Sequence, residues 1–563
     1  MPRPFDLAYP RFHTIAVQII LRKSRAVFAT GKKTIATENH IDQSATPVFD
    51  APTLRQAAGL GVLSAVFYLL FSYGGIRSPD SEVVFRTAEA LATRGTFAVT
   101  TRISGLENFG LPAGLDGRYY SLFGPGQSLA SVPFVEIGLL LNETKWYDRV
   151  PTLVPISHYV GGGILSYVRK EVPKDLAPHA LRFITSIFNV IVSALCVSFF
   201  YLLIWALTRS PLATWCTSIL FAFGSLNFPY AGTFFSEPLA TLFVILSFSC
   251  LVWNEMYIAI SVKQKHFNIL CAGVFLGIAT TVHITAALYT PFFFVYGLYT
   301  FFGSRRRFRD LMVPCGMFLA GLGLFLALLG YYNYVRFGNP LETGRTFDPS
   351  VEYATYVVPW SNMFELLFSS GKGVLWYCPA VIAGLFFWRR LHARYAAISF
   401  TILSSVVFRL AFIASRSDWH GGYSLGPRYL VMAFPLLLLP VGEFLAAAER
   451  KRTIRGFWLF FLFSLVCIGQ QIYFSTGEIF FFFFTVNWTY ISHGGNVLLH
   501  DDLYIDWDKS PLFYILEAHR GPFTLRLIPV SNYSVFWMCA ALATVLLSLD
   551  YVRRLNKHLG RWH

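Results

Sequence analysis

Two acids stand directly after the first long apolar stretch of the chain and could act on a proton. Asp80 and Glu82 follow Ser78 and Pro79, and serine followed by proline is a typical helix start. In one interpretation the acids only complement the positive end of the helix dipole. In the other, one of them is a general base at the lipid–water boundary. The residues alone leave both interpretations open.

A third acid stands at the tip of a short apolar hairpin. Glu237 follows Phe234-Phe235-Ser236 and precedes a proline, and it is the only charged residue of that tip. An ionisable residue at the boundary of a membrane is a functional candidate by default. The alternative is an ordinary acid in the first turn of a helix.

The segment 418–429 combines one arginine with aromatic residues. Arg428 follows a Gly-Pro pair at a predicted helix start, where the helix dipole favours anions over cations. An arginine beside a helix N-terminus can form a phosphate site. Trp419 and Tyr423 could stack on a sugar or anchor the chain at the membrane interface. His420 could shuttle protons or ligate a metal, although a lone histidine usually does neither.

Two further cations lie in predicted loops. Arg345 follows the motif at 332–341, and Lys372 lies in a Gly-Lys-Gly sequence. Either could hold an anionic head group, and either could equally contact ordinary lipid phosphates. The Gly-Pro-Gly sequence at 124–126 indicates a tight turn that leads into a helix.

These residues must be positioned by membrane helices. Of 563 residues 55% are hydrophobic and 14% are charged, whereas soluble proteins carry about a quarter charged residues. This composition excludes a cytosolic enzyme, a disordered protein and a nucleic-acid binder. Stretches long enough to span a membrane lie near 58–76, 180–207, 213–231, 235–257, 267–283, 285–302, 310–333, 373–388, 394–413, 427–447, 456–475 and 534–550. The fold class is therefore an all-α polytopic membrane protein with about 12 transmembrane helices, or up to 14 if 120–141 and 152–168 also span.

The orientation follows from the basic residues, which concentrate in alternate loops as the positive-inside rule describes. It predicts a multi-pass protein of the inner (plasma) membrane with cytoplasmic N- and C-termini. All the long polar connections then lie outside the cytoplasm. They are 77–179, 334–372, 414–426 and 476–533. The predicted parts are a basic tail (1–57), a transmembrane catalytic module (58–450) and C-terminal transmembrane helices (451–563).

Read together and in this order, the motifs resemble those of the GT-C superfamily of membrane glycosyltransferases. The similarity is to members related to protein O-mannosyltransferases and to the lipid A aminoarabinose transferase, and it extends over residues 58–450. The motifs are Pro-Asp (79–80), Tyr-Tyr-Ser-x-x-Gly-Pro-Gly-Gln-Ser (119–128), Phe-Ser-Glu-Pro (235–238), Tyr-Asn-Tyr-x-Arg-Phe-Gly-Asn-Pro-Leu (332–341), Gly-Lys-Gly-x-x-Trp-Tyr (371–377) and Gly-Gly-Tyr-Ser-x-Gly-Pro-Arg-Tyr (421–429).

The resemblance implies a polyprenyl-phosphate-linked sugar donor and a catalytic acid in the first extracytoplasmic loop. That acid maps to Asp80, with Glu82 as the second candidate, because Ser81 separates two acids that the family often has side by side. The donor phosphate would be bound by the three cations Arg428, Arg345 and Lys372. Glu237 and His420 become candidates for contacting the acceptor or a divalent metal ion.

The resulting hypothesis is an inverting glycosyltransferase that moves a hexose or pentose to a glycan, lipid or protein acceptor among membrane lipids. No cofactor is required by the sequence, and a divalent metal ion is an alternative. A transporter or flippase for lipid-linked saccharides, or a glycan polymerase or ligase, is the rival. A flippase would line its path with charges deep in its spans, whereas here the polar candidates gather at predicted outer ends.

Overall fold

Long α-helices make up most of the computed structural model, which describes residues 49–72, 75–76, 78–99, 110–144, 179–257, 260–302, 308–347, 355–451, 454–477, 479, 482–483 and 504–514. Within these residues, β-structure is limited to isolated bridges. The all-α class predicted from the sequence is thereby confirmed. In chain order the helices are α1 (Ala51–Phe71), α2 (Pro79–Arg94), α3 (Gly126–Glu143), α4 (His179–Ser186), α5 (Phe188–Thr208), α6 (Pro211–Gly224), α7 (Asn227–Ala231), α8 (Glu237–Met256), α9 (Val262–Val282), α10 (Thr290–Phe302), α11 (Met312–Phe337), α12 (Trp360–Phe368), α13 (Val374–Tyr377), α14 (Ala380–Phe386), α15 (Trp388–Arg394), α16 (Ala396–Ala414), α17 (Phe434–Arg450), α18 (Ile454–Thr476) and α19 (Pro511–Tyr514).

Nine helical segments in the described part of the chain are long and apolar enough to cross a membrane. Two of them include a 3₁₀ turn at their start, Ile284–Tyr289 before α10 and Arg428–Ala433 before α17. The nine are Ala51–Phe71, Leu181–Thr208, Glu237–Met256, Val262–Val282, Ile284–Phe301, Met312–Phe337, Ala396–Ala414, Arg428–Arg450 and Phe457–Ser475. The protein is therefore a multi-pass membrane protein.

Each of these nine segments overlaps one of the twelve predicted spans. The stretch 213–231 instead forms the shorter α6 and α7, because the backbone is extended at Ser225 between them. The stretch 373–388 is divided among α13, α14 and α15, with a break at Pro379. The predicted span 534–550 lies outside the described residues, so the count of twelve is not confirmed.

The helix α2 begins with the capping arrangement that the sequence indicates. Ser78 lies in extended backbone, and its hydroxyl oxygen accepts the N–H of Ser81 at 3.1 Å. Proline occupies the first helical position, where no N–H is needed. The helix ends at Gly95, whose φ of 64° belongs to the left-handed region that glycine tolerates. Asp80 is thereby held in the first turn.

The Gly-Pro-Gly turn packs against the end of α9. A Cβ atom added to Gly124 would lie 2.1 Å from the carbonyl oxygen of Thr281, and one added to Gly126 would lie 2.8 Å from the Thr281 hydroxyl oxygen. Only glycine permits this approach. The turn leads directly into α3, as predicted, and brings α3 beside the end of α9.

Close packing of small residues also joins α9 to α11. A Cβ added to Gly273 would lie 2.2 Å from the Phe318 carbonyl oxygen, and one added to Gly321 would lie 2.6 Å from the Leu270 carbonyl oxygen. Small residues at such interfaces let the backbones of membrane helices approach closely. The packing aligns the end of α9 with the end of α11, and both ends contribute to the cavity described below.

The chain divides into two units, residues 1–51 and 52–563, and the features described here belong to the second. Most of the predicted basic tail, 1–57, lies outside the described residues, as do the possible span 152–168 and most of the loop 476–533. The predicted boundaries of the three parts of the chain stay predictions.

Candidate active site

A cavity of about 120 Å³ lies at one end of the helix bundle. The ends of α9, α11 and α16 and the start of α8 surround it, together with the first turn of α2. Its ionisable lining residues are Asp80, Glu237, His283, Arg336, Arg345, Arg416 and Arg428. Two acids and four arginines that are well separated in the sequence therefore line the same cavity.

Asp80 and Arg428 meet in this cavity. Nη2 of Arg428 lies 2.9 Å from Oδ2 of Asp80, with side-chain exposures of 10% and 22%. Gly426, with a φ of 60°, positions the arginine by packing against Tyr377, where a Cβ would lie 2.8 Å from the tyrosine Cβ. Two residues that are distant along the chain therefore meet in one cavity. Their roles in a reaction stay predictions.

Glu237 holds the other side of the same guanidinium. Its Oε1 lies 2.9 Å from Nε of Arg428 and 3.7 Å from Nε2 of His283, and only 1% of its side chain is exposed. Neither carboxylate oxygen has a well-aligned hydrogen-bond donor among the described residues. The guanidinium also lies over the Phe235 ring, 4.7 Å from its centroid. Arg428 is thus shared by two carboxylates and backed by an aromatic ring.

A buried arginine that sequence reasoning missed supports the cavity from behind. Arg409 of α16 donates to the carbonyl oxygen of Tyr429 and to both oxygens of Thr285, at 2.6 to 2.9 Å. It therefore connects the residue after Arg428 with the turn that follows α9. An arginine inside a predicted span is a signal for such a role.

His283 lies next to the same Thr285. The Thr285 hydroxyl that accepts a hydrogen bond from Arg409 lies 2.8 Å from Nδ1 of His283, and Nε2 of that ring lies 3.7 Å from Oε1 of Glu237. Burial, followed by repulsion from Arg409 and other arginines, lowers the pKa of His283 well below its usual value. The imidazole is therefore neutral at physiological pH.

Glu82 points away from the cavity. It forms a bidentate ion pair with Arg182 of α4, with side-chain exposures of 4% and 0%, and one of the two contacts is 2.7 Å. The Arg182 guanidinium lies 4.7 Å from the Phe85 ring centroid. Of the two acids considered for catalysis, the structure therefore brings only Asp80 to the cavity.

Lys372 is also committed elsewhere. Its Nζ donates to the carbonyl oxygens of Gly422 and Ser424, each at 2.7 Å, and to the Ser424 hydroxyl at 3.1 Å. Burial lowers the pKa of this ammonium group well below its usual value. Lys372 therefore fixes the loop that leads to Arg428, and it does not line the cavity in the part of the chain that the structure describes.

Arg345 does line the cavity, but loosely. Its side chain is 38% exposed, and its Nη1 lies 3.9 Å from Oδ2 of Asp418. Arg416 holds the same aspartate much more tightly, at 2.5 and 2.6 Å. Arg416 lines the cavity and was missed by sequence reasoning, because the sequence carried no signal that set it apart from other loop cations.

Three candidates from the segment 418–429 lie beside the cavity without lining it in the described residues. Nδ1 of His420 accepts the N–H of Gly422 at 2.9 Å, and its ring stacks on Tyr504. Trp419 is buried, and Tyr423 stacks on Phe483. The predicted sugar-stacking and acceptor-binding roles of these residues stay predictions.

The divalent metal ion considered from the sequence stays a prediction, and the residues that line the cavity carry more positive than negative charge. Asp80 and Glu237 are both occupied by Arg428, and three more arginines face the same space. In the described part of the chain, no three His, Cys, Asp or Glu residues are grouped to hold a metal. The positive charge of the lining arginines favours the binding of anions over cations, because like charges repel.

Residues 149–339 match the family model of dolichyl-phosphate-mannose-protein mannosyltransferases. This match confirms the resemblance to the GT-C superfamily. The matched range includes Glu237, His283 and Arg336, whereas Asp80 and Arg428 lie outside it. The GT-C resemblance therefore does not by itself assign their roles.

The solved structures that match this chain do so at low identity. ArnT from Cupriavidus metallidurans, bound to undecaprenyl phosphate, is 13% identical (TM-score 0.45), and the match covers 84% of this chain and 77% of ArnT. AglB from Archaeoglobus fulgidus, in complex with an inhibitory peptide and a dolichol-phosphate, is 9% identical (TM-score 0.41), and the match covers 79% of this chain and 60% of AglB. A chain of the S. cerevisiae Pmt1–Pmt2 complex bound to the sugar donor is 15% identical (TM-score 0.33), and the match covers 54% of this chain and 38% of that chain. These values are too low to inform function. No curated protein matches the sequence significantly.

Proposed function

We propose that the protein is a glycosyltransferase that moves a sugar from a polyprenyl-phosphate donor to an acceptor at the extracytoplasmic face of the inner (plasma) membrane. The observation that carries this proposal is the Asp80–Arg428 pair in a cavity at one end of the helix bundle. It joins a candidate base to a candidate phosphate ligand. The GT-C resemblance supports the reaction class.

The distribution of charge supports the extracytoplasmic placement. The helix ends around the cavity alternate along the chain with ends that carry basic residues. Those opposite ends include Arg209 after α5, Lys263 in α9, Arg394 before α16 and Arg450 at the end of α17. Basic residues favour the cytoplasmic side, so the cavity is assigned to the other side, with both termini cytoplasmic.

In the proposed reaction, an acceptor hydroxyl or amine attacks the anomeric carbon. The carboxylate of Asp80 takes the proton from the attacking atom as the new bond forms. The bond between the anomeric carbon and the phosphate oxygen breaks, and its electron pair stays on the lipid phosphate. Arg428 stabilises the charge that grows on that phosphate. One displacement of this kind inverts the anomeric configuration.

Transfer can be tested with purified protein in lipid nanodiscs and undecaprenyl-phosphate sugars, both hexose and pentose, with release of undecaprenyl phosphate as the readout. We expect Asp80→Asn to lower turnover by about 10²- to 10⁴-fold, the range for loss of a general base. Asp116→Asn is the matched control, because Asp116 is an exposed carboxylate that contacts Arg118 and Tyr120 and does not line the described cavity.

Equal turnover of Asp80→Asn and the wild-type protein would contradict the mechanism. Movement of lipid-linked saccharides across liposomes without sugar transfer would contradict the proposed function itself. It would favour the transporter or flippase.

A further inference from the structure

Arg428 carries one positive charge and faces two carboxylates. Asp80 contacts Nη2 and Glu237 contacts Nε, each at 2.9 Å. The described cavity contains no other acid. One carboxylate is enough to neutralise the guanidinium, so the second contact adds a negative charge in excess. An anion that approaches Arg428 would find its binding position already occupied by a carboxylate.

The two carboxylates differ in how firmly they are held. Glu237 begins α8, and its side chain is 1% exposed. It has no solvated position to move into without carrying a buried charge through apolar surroundings. Asp80 is 22% exposed and stands at the cavity. A change of side-chain rotamer can turn it into the cavity at little cost.

The alignment of the contacts also leaves room for a ligand. Nε of Arg428 has no aligned hydrogen-bond acceptor among the described residues, although Glu237 is 2.9 Å away. Guanidinium groups prefer paired, parallel hydrogen bonds to carboxylates or phosphates. In the structure Arg428 is therefore close to two anions and optimally bound by neither.

We propose that Asp80 occupies the place of the donor phosphate on Arg428, and that the arriving phosphate displaces it while Glu237 keeps the arginine in position. This proposal rests on the proposed function. The displaced Asp80 carboxylate is then free to accept a proton from the acceptor. The base thus becomes available only when the donor is bound, so the donor must bind before a productive acceptor.

The two acids must then affect phosphate binding in opposite directions. Loss of the Asp80 charge removes a competitor for Arg428, so the phosphate binds more tightly. Loss of the Glu237 contact lets the arginine move, so the phosphate binds more weakly. General electrostatic repulsion predicts tighter binding in both variants, because each loses one negative charge near the ligand.

The test measures the affinity of undecaprenyl phosphate for the full-length protein in nanodiscs of neutral lipid. For Asp80→Asn we expect binding about 2- to 10-fold tighter than wild type, the equivalent of one partly exposed ion pair. For Glu237→Gln we expect binding at least several-fold weaker. Equal tightening in both variants, or no tightening in Asp80→Asn, would overturn the proposal.

Two further variants keep the test decisive if Glu237→Gln is poorly folded on size-exclusion chromatography. Glu237→Asp keeps the negative charge but moves it away from Nε of Arg428. If Glu237 positions the arginine, undecaprenyl phosphate should bind more weakly to this variant. If only electrostatic repulsion matters, the affinity should not change. No change in Glu237→Asp would overturn the positioning role. Arg428→Met should abolish phosphate-dependent binding. If wild type and Arg428→Met bind undecaprenyl phosphate equally, the proposed function fails instead.

Discussion

Two arginine–carboxylate pairs stand two residues apart on α2, and they differ in almost every physical respect. The Glu82–Arg182 pair is bidentate, and its side chains are 4% and 0% exposed. The Asp80–Arg428 pair has one contact of 2.9 Å, faces a cavity, and shares its arginine with Glu237. The first pair is closed to ligands and the second is open to them.

This difference separates a structural contact from a candidate reactive one. A buried ion pair with saturated hydrogen bonds holds elements together, and breaking it leaves an unpaired buried charge. A pair joined by a single contact at a cavity leaves donors and acceptors for a ligand. Glu82–Arg182 thus joins α2 to α4, and this connection positions Asp80.

The largest expected effect concerns Arg428→Lys. A lysine keeps the charge but lacks the planar fork that reaches Asp80 and Glu237 together. We expect turnover to fall by about 10²-fold or more, comparable with loss of a donor that stabilises developing charge. The melting temperature should change little. Steady-state transfer assays and thermal unfolding in detergent test this prediction. Retained turnover would contradict the claim that Asp80–Arg428 is the reactive one of the two pairs.

Arg182→Met should show the opposite pattern. It leaves Glu82 buried without its partner, which costs about 3–5 kcal/mol of stability. The double variant Glu82→Gln with Arg182→Met should recover most of the lost melting temperature, because no unpaired charge is left. A double variant as unstable as the single one would show that packing of the arginine against Phe85, and not charge, holds α2.

A pH dependence of stability should come from His283. Burial and repulsion from Arg409, Arg428, Arg416 and Arg345 lower its pKa well below the ordinary value of 6.5. The unfolded chain therefore takes up a proton below about pH 6.5 while the native protein does not, so native stability falls as pH falls. The loss is about 1.4 kcal/mol per pH unit at most.

The measurement compares wild type with His283→Gln, since the other histidines are common to both. Above pH 7 the difference in melting temperature should be constant. Between pH 6.5 and 5 only the wild type should lose the additional stability. Parallel curves over this range would place the proton on His283 in the folded protein, against its assignment as neutral.

The smallest effect is expected for Arg345→Gln. Its side chain is 38% exposed and its contact with Asp418 is 3.9 Å, so its interaction with a phosphate is screened by solvent. We expect KM for the donor to rise about 2- to 5-fold with kcat unchanged. A loss of kcat similar to that of Arg428→Lys would show that the exposed Arg345 contributes as much to turnover as the buried Arg428.

The membrane class and the positions of most spans could be predicted because they depend on local properties. Hydrophobic length fixes a span, and Ser78 with Pro79 fixes the start of α2. The candidates Asp80, Glu237 and Arg428 could be identified because few charged residues stand at the predicted outer ends of the spans. Breaks such as the one at Pro379 were harder to predict, because the composition of 373–388 remains apolar throughout.

The sequence by itself determined that this protein lies in a membrane, which side its basic loops favour, and which few polar residues stand at span ends. Only the tertiary structure decided which of them meet. It directed Glu82 to Arg182 and Lys372 to the Ser424 loop, and it brought Arg409 behind the cavity. Side chains two residues apart on a helix point about 200° apart, so partners are chosen by packing between distant segments, which spacing along the chain does not encode.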